Sequence, residues 1–103
     1  MAITDNASHE ATELYLYALN DSDLYRQRES IEANLQRKFD KGIYNPAKAA
    51  ILWRYFADNA AKKYHADFCG NGKWYHLFTP SIRVEVSEIA EKDHRELMNE
   101  RAE

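Results

Sequence analysis

The sequence has few of the residues that interrupt helices or cross-link a chain. It contains a single cysteine, Cys69, so no internal disulfide can form. Each of its few breakers marks a boundary between elements: glycine stands at positions 42, 70 and 72, and proline at positions 46 and 80. No apolar run approaches the ~20 residues that a membrane-spanning helix needs. The first residues also lack the basic and apolar segments of a secretory signal, so we expect a cytoplasmic protein that enters no membrane.

What the sequence does contain is typical of one globular domain. Of its 103 residues, 45% are hydrophobic and 30% are charged, which is the balance of a folded chain with a modest core. The formal net charge of −3 argues against nonspecific nucleic-acid binding by the whole molecule. We expect one helical domain over residues 1–103, with residues 1–6 disordered and residues 99–103 frayed.

Helical periodicity and end signals together predict four helices. The first helix is expected to begin at residue 7 or 8 and to end at residue 19. The other three are expected over residues 23–40, 45–68 and 80–98. Asn45-Pro46 and Thr79-Pro80 each combine a capping side chain with a proline suited to the first helical turn. The helix over 45–68 is the longest and is the expected central element. The predicted fold is all-α, a compact bundle of about four helices with an aromatic connector, residues 74–78, before the last helix.

Two charged residues lie within otherwise apolar helical stripes. Arg28 falls in the stripe of the second helix, and Asp93 falls in the stripe of the fourth. A charge in such a position must pair, extend its head group to solvent, or lie at the edge of the core. We predict that Arg28 and Asp93 form a partly buried ion pair that joins the two helices. The alternative is that each lies separately at a solvent edge.

The long third helix carries apolar residues on two sides. Ile51 and Tyr55 lie opposite its main apolar stripe, flanked by Asp58 and Lys62. A helix that is apolar on two faces is either central in its fold or part of an interface. Either the first helix covers Ile51 and Tyr55, or they form an exposed patch that contacts a protein partner or a second copy of the chain.

The second helix carries the best candidate for a nucleic-acid interface. Its candidate basic residues are Arg26, Arg37, Lys38 and Lys41. Acidic residues on the same helix dilute this charge, so an ordinary solvated face of mixed charge explains the pattern equally well.

The sequence offers no constellation with a specific chemistry. His65, Cys69 and His76 are residue types that bind zinc, with Asp67 and His9 as further donors, but their spacing matches no common structural site. His65 stands one helical turn before Cys69, and a buried structural thiol accounts for such a cysteine without catalysis. We therefore predict no enzyme activity, no metal and no cofactor.

Part of the chain resembles a known group of proteins. The segments ELYLYALNDSDLYRQR, GIYN and AKKYHADF, within residues 13–68, are similar to small uncharacterised proteins encoded by tailed bacteriophages. The resemblance implies expression in a bacterial cytoplasm and implies no activity. With this context we expect a non-enzymatic accessory protein that binds a host or phage protein, or itself as a homodimer. The alternative expectation is a nucleic-acid-binding module that uses the basic residues of the second helix.

Overall fold

The computed structural model describes residues 8–68 and 78–102, and this part of the chain is an all-α bundle. Its helices are α1 (His9–Asn20), α2 (Ser22–Asp40), α3 (Pro46–Phe68) and α4 (Pro80–Ala102). No strand occurs within the described ranges, so the predicted all-α class is confirmed. The predicted disorder of residues 1–6, and all of the predicted aromatic connector except Phe78, lie outside the described residues.

A polar side chain caps the start of each helix, including the predicted caps Asn45 and Thr79. Asp21 separates α1 from α2, and its carboxylate accepts a hydrogen bond from the backbone N–H of Leu24 at 3.0 Å. Asn45 Oδ1 accepts from the N–H of Ala47 at 2.9 Å, immediately after which α3 continues unbroken. Such caps satisfy backbone donors that have no partner inside the helix. The capping residues of the four helices, in order, are Ser8, Asp21, Asn45 and Thr79.

Gly42 ends α2 and turns the chain toward α3. Its φ of 74° lies in the left-handed region, where glycine avoids the steric cost of a Cβ. The N–H of Ile43 donates to the carbonyl of Lys38 at 2.9 Å, and the N–H of Gly42 donates to that of Phe39 at 3.0 Å. These two bonds form a Schellman motif, which satisfies the last carbonyls of the helix.

Helix α3 is the central element, because it packs against each of the other three helices. Trp53 and Phe56 are completely buried, and their rings meet edge to face with centroids 5.8 Å apart. Around them lie small residues that let neighbouring helices approach closely. These buried alanines of α3 are Ala49, Ala57, Ala60 and Ala61.

Helix α4 differs from its prediction in length and in the side that it buries. It continues to Ala102, through the segment predicted to fray, because no breaker follows the predicted end at residue 98. Leu97 is only half-buried, whereas Asp93, His94 and Met98 are buried. In the C-terminal half of α4 the buried side therefore includes polar residues, which a search for apolar periodicity does not identify.

Candidate functional site

The predicted ion pair between Arg28 and Asp93 is present where α1, α2 and α4 meet. Arg28 Nη2 lies 3.4 Å from Asp93 Oδ2, and Arg28 Nε lies 3.2 Å from Glu32 Oε1. The Tyr15 hydroxyl donates to the same Asp93 oxygen at 2.7 Å. Asp93 is only 9% exposed, and its carboxylate contacts Tyr15 of α1 and Arg28 of α2. The alternative of two separate charges at solvent edges is wrong.

Burial and hydrogen bonding keep the Tyr15 hydroxyl protonated. Burial raises the pKa of the Tyr15 hydroxyl above its usual range, and the hydrogen bond to Asp93 raises it further. Tyr15 therefore stays a neutral donor at physiological pH. The sequence did not identify Tyr15 as a polar partner, although a tyrosine on a fully buried stripe needs an acceptor for its hydroxyl. The contacts among Tyr15, Arg28, Glu32 and Asp93 join three helices, and we call these four residues the clamp.

A groove of about 540 Å³ runs beside this clamp, between α2 and the end of α4. Tyr25, Arg37 and Leu97 contribute to its walls, together with Arg28 and Glu32 of the clamp. Its lining therefore carries both charge signs. The guanidinium of Arg28 also lies 5.9 Å from the centroid of the Tyr25 ring, so this arginine is already engaged on several sides.

The other face of α3 is open to solvent. Ile51 is 52% exposed and Tyr55 is 63% exposed, although Trp53 between them is completely buried. Of the two alternatives, the one in which α1 covers these residues is therefore wrong. Helix α1 packs elsewhere on α3, where the ring centroids of Tyr17 and Tyr64 lie 5.1 Å apart.

The charged residues predicted beside Ile51 and Tyr55 differ in their environments. Asp58 is half-buried, and its Oδ1 accepts from Arg83 Nη1 at 3.0 Å, so its charge is compensated by α4. Lys62 is exposed, and so are Lys48 and Arg54. We define the α3 outer face as five exposed residues of this side, namely Lys48, Ile51, Arg54, Tyr55 and Lys62.

The four basic residues predicted on α2 do not form one continuous surface. Arg26 lines a cleft at the α1–α2 turn, and Arg37 lines the large groove beside α4. Lys38 lines a third cleft, of about 210 Å³, below the turn into α3. Arg26 and Arg37 are separated by eleven residues, or about 16 Å along the helix axis. Only Arg37 and Lys41 are exposed one helical turn apart.

The residues considered for metal binding are only partly within the described ranges. His65 and Asp67 are described, whereas Cys69 and His76 are not. Within residues 8–68 and 78–102, no group of three or more His, Cys, Asp or Glu side chains is arranged to hold a metal ion. His9 instead lies beside Glu13, with 3.9 Å between Nε2 and Oε2.

His94 is a buried polar residue that the sequence patterns missed. It is 2% exposed, and its ring centroid lies 5.9 Å from that of Trp53. Its place beside an aromatic core residue depends on how α3 and α4 pack, which helical periodicity alone does not determine.

None of the described helices combines the length and the apolar character required to cross a bilayer. No protein-family model, curated protein or solved structure matches the chain significantly.

Proposed function

We propose that this chain is a non-enzymatic accessory protein of a tailed bacteriophage, and that it binds a host or phage protein through the α3 outer face. The observation that carries the proposal is the exposure of Ile51 and Tyr55, one helical turn apart on the central helix. Single exposed apolar residues are ordinary, whereas an adjacent aliphatic and aromatic pair provides contiguous apolar area of the kind that protein interfaces use.

The setting of this pair suits protein recognition. Tyrosine is enriched among the residues that dominate binding energy, because it joins a large apolar ring to a polar hydroxyl. Helix α3 packs against three other helices, so its backbone is already ordered before a partner arrives. A preorganised surface loses less conformational entropy on binding than a mobile one.

The phage context rests on the resemblance of residues 13–68 to small proteins of tailed bacteriophages. Of the α3 outer face, only Lys62 lies within one of the three similar segments, so the phage context and the candidate surface are separate arguments. A bacterial cytoplasm is the corresponding location.

Affinity capture from bacterial lysate tests the proposal with two matched variants. Ile51→Ser/Tyr55→Ser removes the exposed pair of α3. Leu16→Ser/Tyr25→Ser removes two side chains of similar exposure from α1 and α2, at 39% and 44%. We expect a protein that binds the wild type and the control but not the α3 variant. Equal capture by all three proteins, or no specific capture, would contradict the proposal.

Nucleic-acid binding is the second candidate, favoured by one observation. Arg37 and Lys41 are exposed one turn apart and form no ion pair with any residue that the structure describes. A salt-sensitive shift with DNA or RNA that is lost in Arg37→Glu/Lys41→Glu would support it. The absence of a shift at low salt would remove it.

A further inference from the structure

We propose that the occupant of the α3 outer face is an acidic amphipathic helix of a different protein, about four turns long. This inference rests on the proposed function and specifies the chemistry of the partner. It follows from the charges that surround Ile51 and Tyr55, from their spacing along α3, and from the poor fit of the other occupants.

Helix α3 is positively charged within an acidic protein. Its lysines and arginine outnumber its aspartates by four to two, while the whole chain has a net charge of −3. The residues in this count are Lys48, Arg54, Lys62 and Lys63 against Asp58 and Asp67. A positive surface on an acidic molecule selects partners by charge complementarity and raises their association rate.

The structure distributes these charges unevenly around α3. Lys63 Nζ lies 2.8 Å from Asp21 Oδ2, so its charge is used within the fold on the side toward α2. The carboxylate of Asp58 is matched by Arg83. Lys48, Arg54 and Lys62 are all exposed on or beside the side that carries Ile51 and Tyr55. The outer face is therefore an apolar centre with cations around it.

The spacing along α3 sets the length of the occupant. Lys48 precedes Ile51 by three residues, and Lys62 follows Tyr55 by seven. These are helical intervals that keep all four residues on one side. From Lys48 to Lys62 the helix rises about 21 Å, which corresponds to about fourteen residues of a second helix packed alongside. Such a helix would place apolar residues at its centre and carboxylates toward its ends.

A second copy of this chain is a poorer occupant. If two α3 helices packed antiparallel across a two-fold axis, Lys48 of one copy would face Lys62 of the other. If they packed parallel, each lysine would face its own equivalent. Both arrangements bring like charges together, which opposes association. The face therefore fits a partner of opposite charge better than it fits itself.

Nucleic acid is also a poorer occupant of this face. Ile51, exposed at its centre, can neither pair with a phosphate nor stack on a base as an aromatic ring does. Burying this side chain is favourable against an apolar surface. A protein helix supplies such a surface together with carboxylates, whereas a sugar–phosphate backbone supplies only the negative charge.

Selection from a displayed library of 18-residue helical peptides tests the inference without knowledge of the natural partner. Each library member carries a central apolar stripe, with Glu, Lys or Gln varied at the flanking positions. The baits are the full-length wild type, Ile51→Ser/Tyr55→Ser and the charge-reversal variant Arg54→Glu/Lys62→Glu. All substituted positions are exposed, and circular dichroism verifies that each bait keeps its helical content.

We expect the wild type to enrich Glu-flanked helices by at least about tenfold over Lys-flanked ones at low salt, because several rim charge pairs act together. The charge-reversal variant should reverse this preference, and Ile51→Ser/Tyr55→Ser should abolish enrichment. Enrichment that needs Ile51 and Tyr55 but ignores charge would overturn this inference and leave the proposed function standing. No enrichment by any bait would count against both.

Two solution measurements cover the other occupants. Sedimentation of the wild type and of Ile51→Ser/Tyr55→Ser detects self-association through the outer face, and a dimer lost in the variant would overturn the inference. Fluorescence anisotropy with labelled single-stranded and duplex oligonucleotides detects nucleic acid. Binding that Arg54→Glu/Lys62→Glu abolishes would likewise overturn it, whereas a monomer without oligonucleotide binding supports it.

Discussion

Trp53 and Tyr55 lie two residues apart on α3, but they face opposite environments. Trp53 is completely buried against Phe56 and His94, whereas Tyr55 is 63% exposed. Both are large aromatic residues on the same helix, and successive side chains are about 100° apart around a helix axis. Composition therefore does not distinguish the two faces. The difference arises from where the neighbouring helices pack.

The comparison shows how an apolar residue can serve either stability or recognition. The Trp53 side gains free energy from burial within the chain, and the Tyr55 side leaves apolar area exposed to solvent. If this division is correct, substitutions on the first side should change the stability of the isolated protein, and substitutions on the second should not.

The largest expected effect is that of Trp53→Ala. It removes a fully buried indole and leaves a cavity beside Phe56, so it should lower the free energy of unfolding by about 4 kcal/mol. Tyr55→Ala is the matched control and should change it by less than about 0.5 kcal/mol. Urea denaturation of both variants measures the difference. Similar losses for the two variants would mean that Tyr55 also packs within the fold.

The second largest effect should come from the clamp rather than from either face of α3. Asp93→Ala leaves Arg28 without one carboxylate and Tyr15 without an acceptor, so we expect a loss of about 3 kcal/mol. Tyr15→Phe removes one hydrogen bond and keeps the ion pair, and should cost about 1 kcal/mol. If the two variants had the same urea midpoint, the Asp93 carboxylate would contribute little to stability beyond its hydrogen bond with Tyr15.

The helix ends and the two charges of the ion pair were identifiable from the sequence, each for its own reason. Asn45-Pro46 and Gly42 define the ends of adjacent helices through their own backbone preferences, whatever packs around them. Arg28 and Asp93 stood out because a charge within an apolar stripe must pair or reach solvent, and the structure shows that these two pair.

The exposed face and the polar core were not predictable in the same way. Periodicity places Ile51 and Tyr55 on a second apolar side of α3, but it does not determine where α1 packs. Tyr15 and His94 are likewise defined by contacts between residues about 40 to 80 positions apart. Such contacts depend on the angles at which whole helices pack, which no single helix specifies.

A smaller effect should come from the ion pair that joins α4 to the edge of the outer face. Arg83→Gln removes the partner of Asp58 and a hydrogen bond to the Phe78 carbonyl, and should lower the free energy of unfolding by about 1 kcal/mol in urea denaturation. Its effect on recognition should be larger, because the uncompensated carboxylate of Asp58 would repel an acidic helix. We expect weaker binding of Glu-flanked peptides.

Arg95→Gln is the matched control for Arg83→Gln. It removes another arginine of α4, whose Nη2 lies 3.5 Å from Glu91 Oε1, and leaves Asp58 paired. Binding of Glu-flanked peptides should be unchanged in this variant. An equal loss in both variants would show that the overall charge of the protein, and not the charge beside the outer face, determines affinity.

The smallest expected effect concerns Lys63, whose side chain is 33% exposed, against 16% for that of Arg83. Its hydrogen bond to Asp21 lowers the pKa of that carboxyl group below its ordinary value, and the same bond raises the pKa of Lys63. The Asp21 contribution to stability is complete above its unfolded pKa of about 3.9 and is lost as the pH falls through the lower folded value. The Lys63 contribution is complete below its unfolded pKa of about 10.4 and is lost as the pH rises through the higher folded value.

Lys63→Met should therefore flatten both limbs of the stability profile, measured as the urea midpoint between pH 2 and pH 12. Lys62→Met is the control, because it removes the adjacent lysine from the outer face and leaves the bond between Lys63 and Asp21 intact. If the two variants gave the same profile, the pH dependence would come from the general loss of a positive charge. A change confined to Lys63→Met would show that Lys63 stabilises the fold through Asp21, whereas Lys62 does not. The two sides of α3 would then be separated between these adjacent residues.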